Sequence, residues 1–152
     1  MKIAALIARI LMGLAFLVFG LNGFLHFIPS GPMPTGTAGQ FAGALIASRY
    51  FLVISGLQIL GGVLLLVNRY VPLALVILGP VIVNIFFFHL LMDPSGLPRA
   101  IAVVVLWGIV AGRHWQSFSG IFAQRAPEAS WNAGHGASSR GDFRSTAAPG
   151  VR

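Results

Sequence analysis

From Ile3 to Ile28 the chain carries a single charged side chain, Arg9. At about 1.5 Å per residue this stretch extends ~39 Å, more than the ~30 Å hydrocarbon core of a bilayer. It is too long for the apolar core of a cleaved leader, and no small-x-small site follows it, so it reads as an uncleaved first span. Three further apolar stretches follow, at about 50–67, 72–92 and 97–116. A water-soluble fold of this size could not cover them. Hydrophobic residues make up 57% of the chain and charged residues 9%, whereas ordinary soluble domains carry about 25% charged residues. The expected fold class is all-α: a four-helix transmembrane bundle within 1–122, followed by a disordered C-terminal tail over 123–152. The tail is rich in Ala, Gly and Ser with scattered Arg, and buries too little apolar surface to offset the entropy of ordering.

The punctuation between spans is equally legible. Pro29, Gly31, Pro32, Pro34 and Gly36 mark a loop over 29–38. The short apolar stretch 39–47 suits either an interfacial helix or a turn packed on the bundle mouth, and Ser48 is placed to cap the next helix. Asn68, Arg69 and Tyr70 form a polar turn, and Pro72 opens the third span where proline is tolerated. Gly79-Pro80 lies inside that span and should bend it. Asp93, Pro94, Ser95 and Gly96 separate the third span from the fourth. Only 100–112 is uninterrupted in the fourth, about 20 Å, so it crosses only if Arg99 and Arg113 snorkel. Gly108-x-x-x-Gly112 permits close helix approach, within the bundle or between copies of the chain.

The net charge of +7 sits at the ends of the spans and in the tail. That placement suits topology determinants and anionic headgroups rather than nucleic acid. Four spans place Lys2, Arg9, Arg69, Arg113, Arg125 and the tail arginines on one side, and Arg49, Arg99 and Asp93 on the other. Both termini are therefore expected in the cytoplasm, in an inner membrane of bacterial type. Arg9 can snorkel to the headgroups, and Tyr50, Tyr70, Trp107 and Trp115 are candidate interface anchors.

Within the spans the larger polar side chains are Asn22, His26, Gln58, Asn84 and His89. The topology puts all five in the outer half of the membrane and leaves the inner half nearly pure hydrocarbon. Asn22 and His26 share a helix face. Asn84 and His89, about 140° apart, do not share one on a straight helix. An unsatisfied amide in hydrocarbon costs several kcal/mol, so these side chains should turn inward. They then form either a ligand-binding polar pocket open to the outside or helix–helix contacts worth about 0.6 kcal/mol each. The pair His26 and His89 lacks any supporting haem pattern. The absence of cysteine removes disulfides, cysteine zinc sites, iron–sulfur ligation and thiol relays, and no metal site is expected. No Asp or Glu lies within a span, which argues against a carboxylate proton relay or a cation transporter.

The first span ends in FGLNGFLHF. A Pro/Gly-rich loop follows, then SGLQILGGVLLLVNRYVPLALVILGPVIVNIFFFHLLMDPSGLP. Over about 4–122 the chain resembles the DoxX family of small four-helix membrane proteins. The sharper points are NG-x-x-HF, the LVNRYVPLAL turn and the N-x-x-x-FH segment. The resemblance implies an accessory subunit in quinone-linked redox or oxidative-stress metabolism, with protein partners in a membrane redox complex and quinone as the ligand. It supplies no catalytic residue that could be carried over. Other readings are a non-enzymatic assembly protein that binds a partner helix or lipid, possible also as a homo-oligomer, and a small transporter.

Overall fold

The computed structural model describes residues 2–29 and 31–118, with only the backbone of Lys2. Every regular element among them is helical: α1 (Lys2–Leu25), α2 (Gly36–Ala47), α3 (Tyr50–Leu66), α4 (Val71–Leu91), a single 3-10 turn (Pro94–Gly96), α5 (Leu97–Arg113) and α6 (Trp115–Phe118). The tail expected to be disordered lies outside the described residues.

Three helical segments are long and apolar enough to cross a membrane: Ile3–Leu25, Val71–Leu91 and Pro94–Arg113. α3, with 17 residues, reaches only about 26 Å. It qualifies as a fourth only when taken together with α2, across a bend of 82°. The ambiguous span is thus the second and not the fourth. The fourth gains length because Pro94–Gly96 and α5 run on as one apolar segment.

Helix boundaries follow from a few backbone decisions. α1 stops at Leu25, three residues short of the expected end, because His26 turns to a positive φ of 52°. There Asn22 Oδ1 accepts from Ile28 N at 2.6 Å, an alternative to further helix. The expected loop over 29–38 is shorter at its end, since α2 already begins at Gly36. Arg49 adopts φ 58° and separates α2 from α3. Ser48 Oγ accepts from Tyr50 N at 3.3 Å but is not the N-cap of α3, a position that Arg49 takes. Asn68 and Tyr70, both left-handed, make the tight α3–α4 turn. α4 continues through Pro80. α5 ends at Arg113 rather than 116, with His114 as its cap before the short α6.

α1, α3, α4 and α5 form a ring in which neighbours are α1–α3, α3–α4, α4–α5 and α5–α1. The α1–α3 pair is the tightest. A Cβ on Gly13 would lie 3.2 Å from the Gly62 carbonyl oxygen, and one on Gly62 would lie 2.8 Å from Leu17 N. A Cβ on Gly20 would lie 2.8 Å from the Ser55 carbonyl oxygen. A Cβ on Gly23 would collide with the hydroxyl of Ser55, which is fully buried. Residue 13 meeting 62 and residue 20 meeting 55 makes the pair antiparallel. By contrast, Gly108 and Gly112 have nothing within 4 Å of such a Cβ. They do not serve close packing inside the bundle, because the intimate interface is α1–α3 instead.

The core is concentrated in one half of the bundle. Ala8, Met12 and Phe16 of α1 pack with Leu65 of α3, Val71, Leu75, Leu78 and Ile82 of α4, and Val110 of α5. These positions all lie toward the end that carries Lys2, here the amino-terminal end. Arg9, half-buried, donates from Nη1 to the Leu65 carbonyl at 2.6 Å, at the C-terminal end of α3 where the helix dipole favours a cation. Trp107, partly buried against the core, donates its indole N–H to the Leu75 carbonyl at 3.1 Å. Leu14, Val18, Leu60, Val76, Val83 and Val105 remain exposed on the outer surface. Such extensive apolar exposure suits lipid as the surrounding medium.

Gly62→Ala forces backbone apart at the α1–α3 contact, so it should lower stability in detergent by about 1–3 kcal/mol. Gly108→Ala meets only open space and should be neutral or raise stability by up to about 1 kcal/mol. Thermal unfolding of the purified variants checks both.

Candidate functional site

Beyond Phe16 and Ile82 the tight core gives way to a cavity of about 660 Å³. It lies at the end of the bundle where α1 and α4 finish, the distal end. Asn22, His26, Gln58, Asn84 and His89 all line it. α2 contributes Phe41, Ala42, Leu45 and Ile46, and the α2–α3 junction contributes Arg49. Phe41 of α2 rests on Phe88 of α4, with ring centroids 5.8 Å apart. The 82° bend between α2 and α3 therefore lays α2 along the cavity as one of its walls.

Asn84 and His89 were expected on different faces of α4, yet both border the same space. The cavity is broad enough to take in Asn84, Ile85, Phe88 and His89 together, an arc of about 140° around the helix. Asn84 is exposed and His89 is partly buried.

The five polar side chains divide into two groups. Asn22 is engaged in structure through its bond to Ile28 N. His89 is held by its neighbours. Its Nδ1 lies 3.0 Å from the Asp93 carbonyl oxygen and 3.7 Å from the Asp93 carboxylate, and Gly96 packs so closely on the ring that any Cβ would overlap it. A carbonyl oxygen only accepts, so Nδ1 carries the proton and Nε2 of neutral His89 is left as an acceptor. The Ser95 hydroxyl, donating to Asp93 Oδ1 at 2.6 Å, holds that carboxyl below its usual range. His26, Gln58 and Asn84 belong to the second group: none makes a side-chain hydrogen bond to another described residue. Two amides and an imidazole without partners among the described residues border a mostly apolar cavity, Gln58 partly buried and His26 and Asn84 exposed, where water or a ligand can satisfy them.

Arg49 was expected only as a topology determinant, but it is part of the cavity wall. A cation on the sparsely charged side of the chain, just before an apolar helix, was the available signal. The role of α2 was half legible, as a segment packed at the bundle mouth. Its 12-residue extent and its contact with Phe88 were not.

No family model, curated protein or solved structure matches this chain.

Asn22→Leu removes the acceptor for Ile28 N and should destabilise the protein by about 1–2 kcal/mol. Asn84→Leu removes no hydrogen bond and should leave stability unchanged or slightly raised. Denaturation of the two variants side by side separates a structural amide from one available to a ligand.

Proposed function

We propose that this chain spans the membrane four times with both termini in the cytoplasm, and that its distal cavity receives the head group of a quinone. The observation carrying this reading is the set of side chains His26, Gln58 and Asn84, which have no partner among the described residues, on the wall of a roughly 660 Å³ apolar cavity. Pockets for small ligands are typically about 300–1,000 Å³, mostly apolar, with a few convergent polar groups. A quinone has that complementary form: carbonyl or hydroxyl oxygens on a ring, and an apolar tail suited to lipid. It would supply two-electron redox chemistry when bound.

The residues present fit the two oxidation states differently. The amide N–H groups of Gln58 and Asn84, and an N–H of His26, can donate to carbonyl oxygens. Neutral His89 cannot donate from Nε2, because Nδ1 already carries the proton for Asp93 O. Its Nε2 would instead accept a hydrogen bond from a ring hydroxyl. Phe41, Phe51 and Phe88 offer ring faces in the same cavity.

This reading agrees with the resemblance to the DoxX family and with an accessory role in quinone-linked redox metabolism in a bacterial-type inner membrane. A structural or assembly role is the second reading. It is favoured by Asn22 and His89, whose contacts to Ile28, Asp93 and Gly96 lie within the protein.

Quinone should co-extract with the purified protein and raise its melting temperature when added back. A Gln58→Leu/Asn84→Leu double variant should bind quinone about ten-fold more weakly, equivalent to ~1.4 kcal/mol, while melting no lower than the parent. No co-extracted quinone together with no thermal response to added quinone would count against the reading and favour the structural one.

A further inference from the structure

A second, smaller cavity of about 230 Å³ lies at the amino-terminal end, between α1, the α3–α4 turn and the end of α5. Its lining combines the nitrogen-bearing side chains Arg9, Asn68, Arg113 and His114 with apolar Ala5, Leu6 and Val110. We propose that this groove binds phosphate oxygens, and that their source is the headgroup of an anionic phospholipid.

The charge pattern calls for an anion. Among the described residues no acidic side chain lines the groove. Among the described residues the only carboxylate side chain is Asp93, at the opposite end of the bundle. Like charges gathered at one site repel one another. At His114, one residue beyond the end of α5, burial first, then the charges of Arg113 and Arg9, hold the imidazole below its usual range.

The geometry favours phosphate. Arg9 is fixed in place by its 2.6 Å bond to the Leu65 carbonyl, which uses one of its five N–H groups. Held this way, a guanidinium suits fork-like recognition of phosphate oxygens. The first turn of α1, where Ala5 lies, adds the partial positive charge of a helix start.

The setting favours a lipid over a free ion. Leu6 belongs to the groove and is itself exposed on the outer surface, as are Ile10 and Ile109 on the two helices beside it. An acyl chain can follow these residues while its headgroup occupies the groove. Basic pockets between helix ends at the cytoplasmic side of membrane proteins suit such headgroups. The inference does not depend on quinone binding at the distal end.

The test uses the full-length protein in uncharged detergent, with thermal-shift titrations of phosphatidylglycerol, phosphatidylcholine and inorganic phosphate. Phosphatidylglycerol should bind about ten-fold more tightly than phosphatidylcholine, and Arg113→Gln should weaken it about five-fold. Arg113 is exposed, so its removal should leave melting in phosphatidylcholine unchanged. Arg99→Gln, at the distal end, should leave phosphatidylglycerol binding intact. Equal affinity for the two lipids would overturn the proposal, as would an equal loss from Arg113→Gln and Arg99→Gln. Protection by inorganic phosphate as strong as that by the lipid would overturn the lipid as source.

Discussion

The close approach of α1 and α3 is the contact on which the rest of the bundle depends. Lipid supplies no hydrophobic drive for one apolar helix to bury against another, so association rests on packing at short range and on hydrogen bonds. Gly13, Gly20 and Gly23 face Gly62 and Ser55 across an interface where backbone approaches backbone. Arg9 fastens the same pair at one end through the Leu65 carbonyl. α4 and α5 then close the ring, with Trp107 tied to Leu75.

Closure is unequal along the bundle. Met12, Phe16, Leu65, Leu75, Leu78 and Ile82 fill the amino-terminal half. In the distal half the helices enclose a cavity, and α2 lies along it. The turn at His26 and the left-handed break at Arg49 bring the chain out of α1 and back into α3 around this opening. Polar side chains collect where packing leaves room for water or a ligand to satisfy them. The two ends thus differ chemically: a mixed polar and aromatic cavity at one, a basic groove at the other.

The all-helical character and the candidate spans could be read from the sequence because hydrocarbon length is a severe constraint. The apolar stretches that meet it can hardly be anything else. The five polar residues stood out because amides and imidazoles are scarce in such stretches, and the antiparallel order of the helices brings them to one end. Three features were hidden. Whether Gly62 or Gly108 touches a neighbour depends on helix rotation, which the G-x-x-x-G spacing does not determine. Arg9 turned inward because a carbonyl at the end of α3 was within its reach, a long-range fact. The arc of α4 that borders the cavity depends on where α2 lies, and the bend at Arg49 is set by one residue's φ. The functional identity of the ligand follows from none of these constraints, since an apolar cavity with a few amides admits several chemistries.

With both termini proposed to be cytoplasmic, the distal cavity would open to water from outside the cell while the amino-terminal half is sealed by its packed core. The chain has no native cysteine, so single cysteines can be introduced without a background. Labelling whole cells with a membrane-impermeant thiol reagent, using Gln58→Cys, Asn84→Cys and Leu75→Cys, measures access directly. The account predicts reaction at positions 58 and 84 and none at 75. Protection of both 58 and 84, or their reaction only from the cytoplasmic face, would contradict it.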